Sequence, residues 1–237
     1  MTDDIDRRKR SPGAVALLLV AVLAILFGLL LGAGVLVSGP EANTEVESVD
    51  GQVTTWFAQH RVASLAAPSQ WLSDLGSTGV VVGIGVVAAA AAGLLLRRWW
   101  PVRLLAAALA GELLLFLAVS TIIDRARPPV PHLDAHLPPT SSFPSGHTAA
   151  SVCLYGGIAA GVCLAVRSWW RWAVVLAAVV IVLAVATARL YRGAHWATDV
   201  LTSLLFASLW LWVCVRSLAP APAELAREKG RATGGQA

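Results

Sequence analysis

Six apolar runs, each long enough to cross about 30 Å of hydrocarbon as a helix, constrain this chain more than any other feature. They lie at 13–37, 77–96, 102–123, 148–166, 173–188 and 197–215. The fifth is short, so its span is expected to take in flanking tryptophans or Arg189. Transmembrane strands are shorter and alternate with period 2, which these runs do not. Only 14% of the 237 residues are charged and 57% are hydrophobic, whereas a water-soluble domain carries roughly a quarter charged. The expected fold class is all-α, a six-transmembrane helical bundle over 13–217 with an amphipathic segment on its outer leaflet. A tail at 1–12 precedes it, and a charged tail at 218–237 has the composition of a disordered segment. The first run follows Arg7, Arg8, Lys9 and Arg10 as in a signal peptide. Its apolar stretch is too long for a signal h-region and reads as a retained helix.

The formal charge of +4 is not a nucleic-acid footprint, because the basic residues sit in short segments between apolar runs rather than on one face. Thirteen of the eighteen fall in the two tails and in the turns at 97–103 and 167–171. The positive-inside rule makes that side cytoplasmic, both termini included. Trp99, Trp100, Trp169, Trp170 and Trp172 flank its turns like an interfacial belt. Segments 38–76, 124–147 and 189–196 then lie outside a cell membrane. In the first, Val53, Trp56, Phe57 and His60 recur at helical spacing, as in an amphipathic helix on the leaflet or a cap over the bundle. Cys153, Cys163 and Cys214, an odd number inside apolar runs, read as packing residues rather than a disulfide framework.

The other two outer segments hold Arg125, Arg127, Arg189 and Arg192. Charges at a bilayer boundary are costly and mark function, and arginine forks suit phosphate oxygens. Arg125 and Arg127, two apart in an extended stretch before Pro128, can point the same way. The fourth and sixth helices start just after Ser145-Gly146-His147 and His195. Two helix N-termini with unpaired N–H groups therefore share this side, a setting that binds phosphate, and Gly146 lets the backbone approach an anion. His195 and Asp199, four apart, share a helix face. The carboxylate can hold one ring nitrogen as N–H and leave the other to attack, with His147 placed to protonate a leaving alkoxide. His132, Asp134 and His136 alternate in a proline-rich loop and read as solvated surface rather than a metal site; no metal or other cofactor is expected. Glu112, near the middle of the third helix, reads as a carboxyl hydrogen-bonded to another helix.

Together these stretches resemble the three-part signature of the type 2 phosphatidic acid phosphatase superfamily, the lipid phosphate phosphatases, in a bacterial-type integral membrane form. Arg127-Pro128 matches the first part, Pro144-Ser145-Gly146-His147 the second, and Arg189 with His195 and Asp199 the third. Two positions depart: the family lysine seven residues before Arg-Pro is Ser120, and the serine before the last arginine is Ala188. Lys9 and Lys229 both lie in the tails, so Arg125 is the substitute for that charge. The resemblance implies metal-independent hydrolysis of a lipid phosphate or diphosphate, with membrane lipids as partners and the site on the extracytoplasmic face. It implies that His195 forms a phosphohistidine, Asp199 stabilises its imidazolium and His147 serves the leaving oxygen. Arg127, Arg189, Arg125, Ser145 and Gly146 would hold the equatorial oxygens. Phosphatidic acid, phosphatidylglycerol phosphate and polyprenyl diphosphates such as undecaprenyl diphosphate all offer a phosphate above an apolar tail, and the sequence does not choose among them. The alternatives are a vanadate-dependent haloperoxidase relative, a transporter, or a catalytically impaired lipid-binding membrane protein.

Overall fold

The computed structural model describes residues 11–38, 44–95, 97–134, 137 and 140–220. The charged tails and His136 lie outside the described residues. In chain order come α1 (Pro12–Ser38), α2 (Thr44–Gln59), α3 (Ala66–Asp74) and α4 (Thr78–Ala90), which runs on into a π-helical turn at Ala91–Leu95. After α5 (Trp100–Ile122), one span begins as α6 (Gly146–Ser151), passes a π-helical turn at Val152–Gly156 and ends as α7 (Gly157–Ala165). α8 (Arg171–Tyr191) and α9 (Ala197–Leu218) complete the order. No strand occurs among the described residues.

Five spans are long and apolar enough to cross a membrane, and α3 with α4, bent by 50° at their junction, makes the sixth. All six predicted runs are therefore helical. The short fifth run gains its length from Trp172 and Arg189, both inside α8. α5 starts with Pro101 in its first turn, where the missing N–H costs nothing.

Helix packing leaves two cores. α1 lies along α5 and α9, burying Leu26 and Leu30 with Leu104, Ala108, Leu115, Phe206 and Trp210. Val81, Leu154, Tyr155 and Ala178 form a second core where α4, the fourth span and α8 meet. Outward-facing leucines and valines such as Leu17, Val86, Leu114 and Leu205 stay exposed, as on a bundle solvated by hydrocarbon. Of the expected tryptophan belt, Trp99, Trp169, Trp170 and Trp172 are exposed, but Trp100 is 4% exposed and belongs to the first core. α2 is the helix expected before residue 60. Its buried face is polar (Asp50 and Thr54), while Val49 and Trp56 are exposed. It thus clamps the bundle by charge and presents apolar groups outward.

Backbone approach between α5 and α9 depends on Gly111. A Cβ there would lie 2.3 Å from the Trp210 ring, whose Nε1–H donates to the Ala108 carbonyl at 3.0 Å. Overpacking a close-packed contact costs about 1–3 kcal/mol. Gly111→Val is accordingly expected to lower the thermal unfolding midpoint in detergent by several degrees. Gly83→Ala, where a Cβ meets nothing within 4 Å, is expected to leave the midpoint unchanged or slightly raised. Equal midpoints for the two variants would contradict this packing.

Candidate active site

Four helix ends converge at one end of the bundle: the C-termini of α5 and α8 and the N-termini of α6 and α9. The link after α5 folds back on itself, with the Ser142 N–H donating to the Arg125 carbonyl at 2.9 Å and Ser142 Oγ to the Ala126 carbonyl at 3.2 Å. The link after α8 turns at Gly193, whose φ of 76° suits glycine, and delivers His195 one turn before Asp199.

His195 is 4% exposed, and its Nδ1 lies 2.7 Å from the Ser142 carbonyl oxygen. A carbonyl only accepts, so Nδ1 carries the proton and Nε2 keeps its lone pair. Asp199 Oδ2 stands behind the same nitrogen at 3.6 Å. The sequence reading gave Asp199 alone the task of holding this nitrogen; the direct bond is to a backbone carbonyl that no side-chain pattern reveals. Burial pushes the imidazole below its ordinary value, opposed by the Asp199 contact and aided by Arg189. His195 is therefore neutral near pH 7.

Asp199 itself is fully buried. Its Oδ2 accepts the Trp196 N–H at 3.0 Å, and its Oδ1 accepts from Arg125 Nη1. Arg125 turns its other terminal nitrogen to Asp50 Oδ2 at 2.8 Å. Asp50 reaches across from α2, and its Oδ1 accepts the Thr198 N–H at 3.0 Å, which caps α9. Arg125 was expected to hold phosphate in place of the family lysine. The structure corrects this: two buried carboxylates claim its guanidinium, and it forms no wall of the cavity. Arg125 and Arg127 consequently do not act side by side. Ser120 does not supply the missing charge either, since its Oγ donates to the Leu117 carbonyl of its own helix at 3.3 Å.

A cavity of about 290 Å³ opens in front of His195. Its polar end holds His195, His147, Arg127, Arg189, Gly146 and Thr140. Arg127 Nη1 donates to the Ala194 carbonyl at 2.7 Å, and Arg189 Nη1 to Ser73 Oγ at 2.8 Å and Asp134 Oδ2 at 3.1 Å. The Nε of each arginine is buried without a partner, a costly state for a donor. Burial lowers the pKa of Arg127, with Asp199 and Asp134 acting in the opposite direction. Asp134 also pairs with Arg192 Nε at 2.6 Å. It is thus the counter-ion of two arginines rather than a solvated loop residue, while His132 Nε2 lies 3.1 Å from the Pro128 carbonyl oxygen.

Ser145, expected at the phosphate, is fully buried. Its N–H donates to Ser203 Oγ at 2.8 Å and its Oγ pairs with Thr148 Oγ1 at 3.0 Å, so its polar groups serve the start of α6. Gly146 does line the cavity, and a Cβ there would lie 3.0 Å from the Phe116 ring. The opposite part of the cavity is apolar, with Val81 and Val82 of α4 facing Leu109, Leu113 and Phe116 of α5. Glu112 also lines it. The interhelical hydrogen bond expected for Glu112 is not formed among the described residues.

Comparison with known proteins adds to this geometry. The chain shares its fold with the crystal structure of the first transmembrane PAP2 type phosphatidylglycerolphosphate phosphatase from Bacillus subtilis. The TM-score is 0.71 at 24% sequence identity, covering 81% of this chain and 93% of that one. A comparison with curated proteins yields no match. With six apolar spans and this fold, the protein is a multi-pass membrane protein. The model of the PAP2 superfamily matches residues 101–221, half of the chain and every residue of the three motifs, and the chain belongs to the PAP2 superfamily.

Proposed function

We propose that the protein is a lipid phosphate phosphatase that works through a phosphohistidine on His195. One observation carries the reading: two histidines and two arginines with unpartnered buried Nε atoms share the polar end of a cavity otherwise lined mostly by apolar side chains. That shape matches a phosphate on an acyl or prenyl tail. Membership of the PAP2 superfamily supports the same reaction class, and the Bacillus subtilis protein of the same fold bears the name of a phosphatidylglycerolphosphate phosphatase.

In the proposed reaction the lone pair of His195 Nε2 attacks phosphorus while the bond to the lipid oxygen breaks. His147 gives that oxygen a proton, then takes one from the water that attacks the phosphohistidine and releases inorganic phosphate. Arg127 and Arg189 hold the equatorial oxygens throughout. The Ser142 carbonyl and Asp199 stabilise the charged ring while phosphorus is attached to it. No step calls on a metal ion. Ser145 acts through the placement of Gly146 and His147, and Arg125 through Asp199. The thirteen basic residues assigned by sequence to the opposite side put the site on the extracytoplasmic face, with the termini cytoplasmic.

Purified protein in mixed micelles is expected to release phosphate from a lipid phosphate without added metal, and His195→Ala to lower kcat/KM on the order of 10³-fold or more. Quenching with detergent at alkaline pH, where the acid-labile N–P bond survives, should trap label from a ³²P-labelled substrate on the wild-type chain only. Undiminished turnover by His195→Ala would sink the mechanism. In intact cells, a membrane-impermeant phosphate ester should be hydrolysed if the site faces outward.

The pH dependence follows from the depressed His195 value. Its reactive neutral form is present above the folded pKa and lost as pH falls through it. The acid limb of kcat/KM is therefore expected below the ordinary histidine value of about 6.5. A midpoint at or above that value would contradict the buried, neutral imidazole.

Asp50 is expected to position Asp199 through Arg125. Asp50→Asn should lower kcat about tenfold with KM nearly unchanged, and should move the acid limb, because one partner of a buried charge pair is lost. An unaltered pH profile with lowered thermal stability would assign Asp50 a purely structural role.

A further inference from the structure

Glu112 is the one acidic side chain within a spanning helix that neither the reaction nor the packing uses. It is 4% exposed, it lines the cavity, and no hydrogen bond or ion pair reaches its carboxyl among the described residues. A buried polar group without a partner is destabilising, and within a bilayer span such groups mark binding pathways. Its depth is informative. Phe116, one turn nearer the reacting end of α5, sits 3.0 Å from where a Cβ on Gly146 would be. Glu112 lies four residues further, ~6 Å of helix rise below that level. The walls around it are otherwise hydrocarbon: Val81, Val82, Leu109 and Leu113.

A lipid with its phosphate between Arg127 and Arg189 and its tail between α4 and α5 passes Glu112 just below the phosphate. In an acylglycerol phosphate the first ester carbonyl oxygen is six bonds from phosphorus, so carbonyl acceptors fall at this depth. In a polyprenyl phosphate the chain there is hydrocarbon only and would leave the carboxyl unpartnered. We propose that Glu112 is a specificity-determining residue whose protonated carboxyl donates a hydrogen bond to the glycerol-ester carbonyl oxygens of the substrate, making acylglycerol phosphates the preferred class over polyprenyl phosphates. This rests on the phosphatase reading above.

The test compares kcat/KM in mixed micelles for dioleoyl phosphatidic acid, its diether analogue, which lacks the ester carbonyls, and farnesyl monophosphate. Wild-type protein is expected to favour the diester about tenfold or more over both, as a site built to hydrogen-bond discriminates against a substrate lacking the group. Glu112→Leu should reduce the ratio of diester to farnesyl phosphate about tenfold, and Glu112→Gln, which keeps a donor, should change it less than about threefold. The diether comparison needs no variant and so does not depend on how Glu112→Leu folds. Equal kcat/KM on all three lipids, or a ratio untouched by Glu112→Leu, would overturn the assignment of Glu112 and leave the phosphatase reading standing. Failure of the wild-type protein to release phosphate from any of the three would overturn both.

Discussion

Arg125 is held between Asp50 and Asp199 with almost no access to solvent, and the placement of His195, the proposed nucleophile, depends on that contact. Burying one cation with two carboxylates is expensive unless every member is bonded. Here every member is: Asp50 takes the Thr198 N–H, Asp199 takes the Trp196 N–H, and the arginine reaches both. The carboxylates also sit at the positive N-terminal end of α9, which offsets part of their desolvation. In this way α2, the link after α5 and the first turn of α9 become one unit, and His195 leaves that unit with its Nδ1 already committed.

A second charge cluster of opposite sense faces the first across the imidazole. Asp134 lies between Arg189 and Arg192, and Arg127 stands on the cavity side of the same ring. The formal charge is thus negative behind Nδ1 and positive in front of Nε2. The two signs act oppositely on His195, Asp199 favouring its protonation and Arg189 and Arg127 opposing it. With burial added, the balance favours the neutral ring. The same field would favour the proposed reaction's direction: anion toward the arginines, developing imidazolium toward Asp199.

How much of this was legible in the sequence differs by link. Every span was, because 20-residue apolar runs have few alternative structures in hydrocarbon. His195, Asp199, His147, Arg127 and Arg189 were legible as residue types at spacings that bring them to one end of the bundle. The misreadings came where type does not determine partner. Arg125 looked like a phosphate ligand because an arginine near arginines suggests an anion, and only tertiary contact shows that Asp50, 75 residues earlier, claims it. Asp50 carried a signal that could have been used, an acid set among Val49, Val53 and Trp56 on a helix expected either to lie on the leaflet or to cap the bundle. The Ser142 carbonyl carried none, since a backbone acceptor is independent of side-chain identity. Glu112 was noticed for its depth, but its lack of a partner is a property of the packed structure alone.

The family match begins at residue 101, and this boundary separates two kinds of argument. The proposed reacting groups lie after it. Asp50, which steadies Arg125, Ser73, which steadies Arg189, and the α4 wall of Val81 and Val82 all lie before it. Superfamily membership therefore bears on the reacting groups and their class of chemistry. It does not by itself settle how tightly they are held or what tail fits beside them, because part of the contacts that decide both comes from α2, α3 and α4. Under the proposed phosphatase reading, substrate choice is accordingly a question about the groove between α4 and α5, where Glu112 interrupts a mainly hydrocarbon wall.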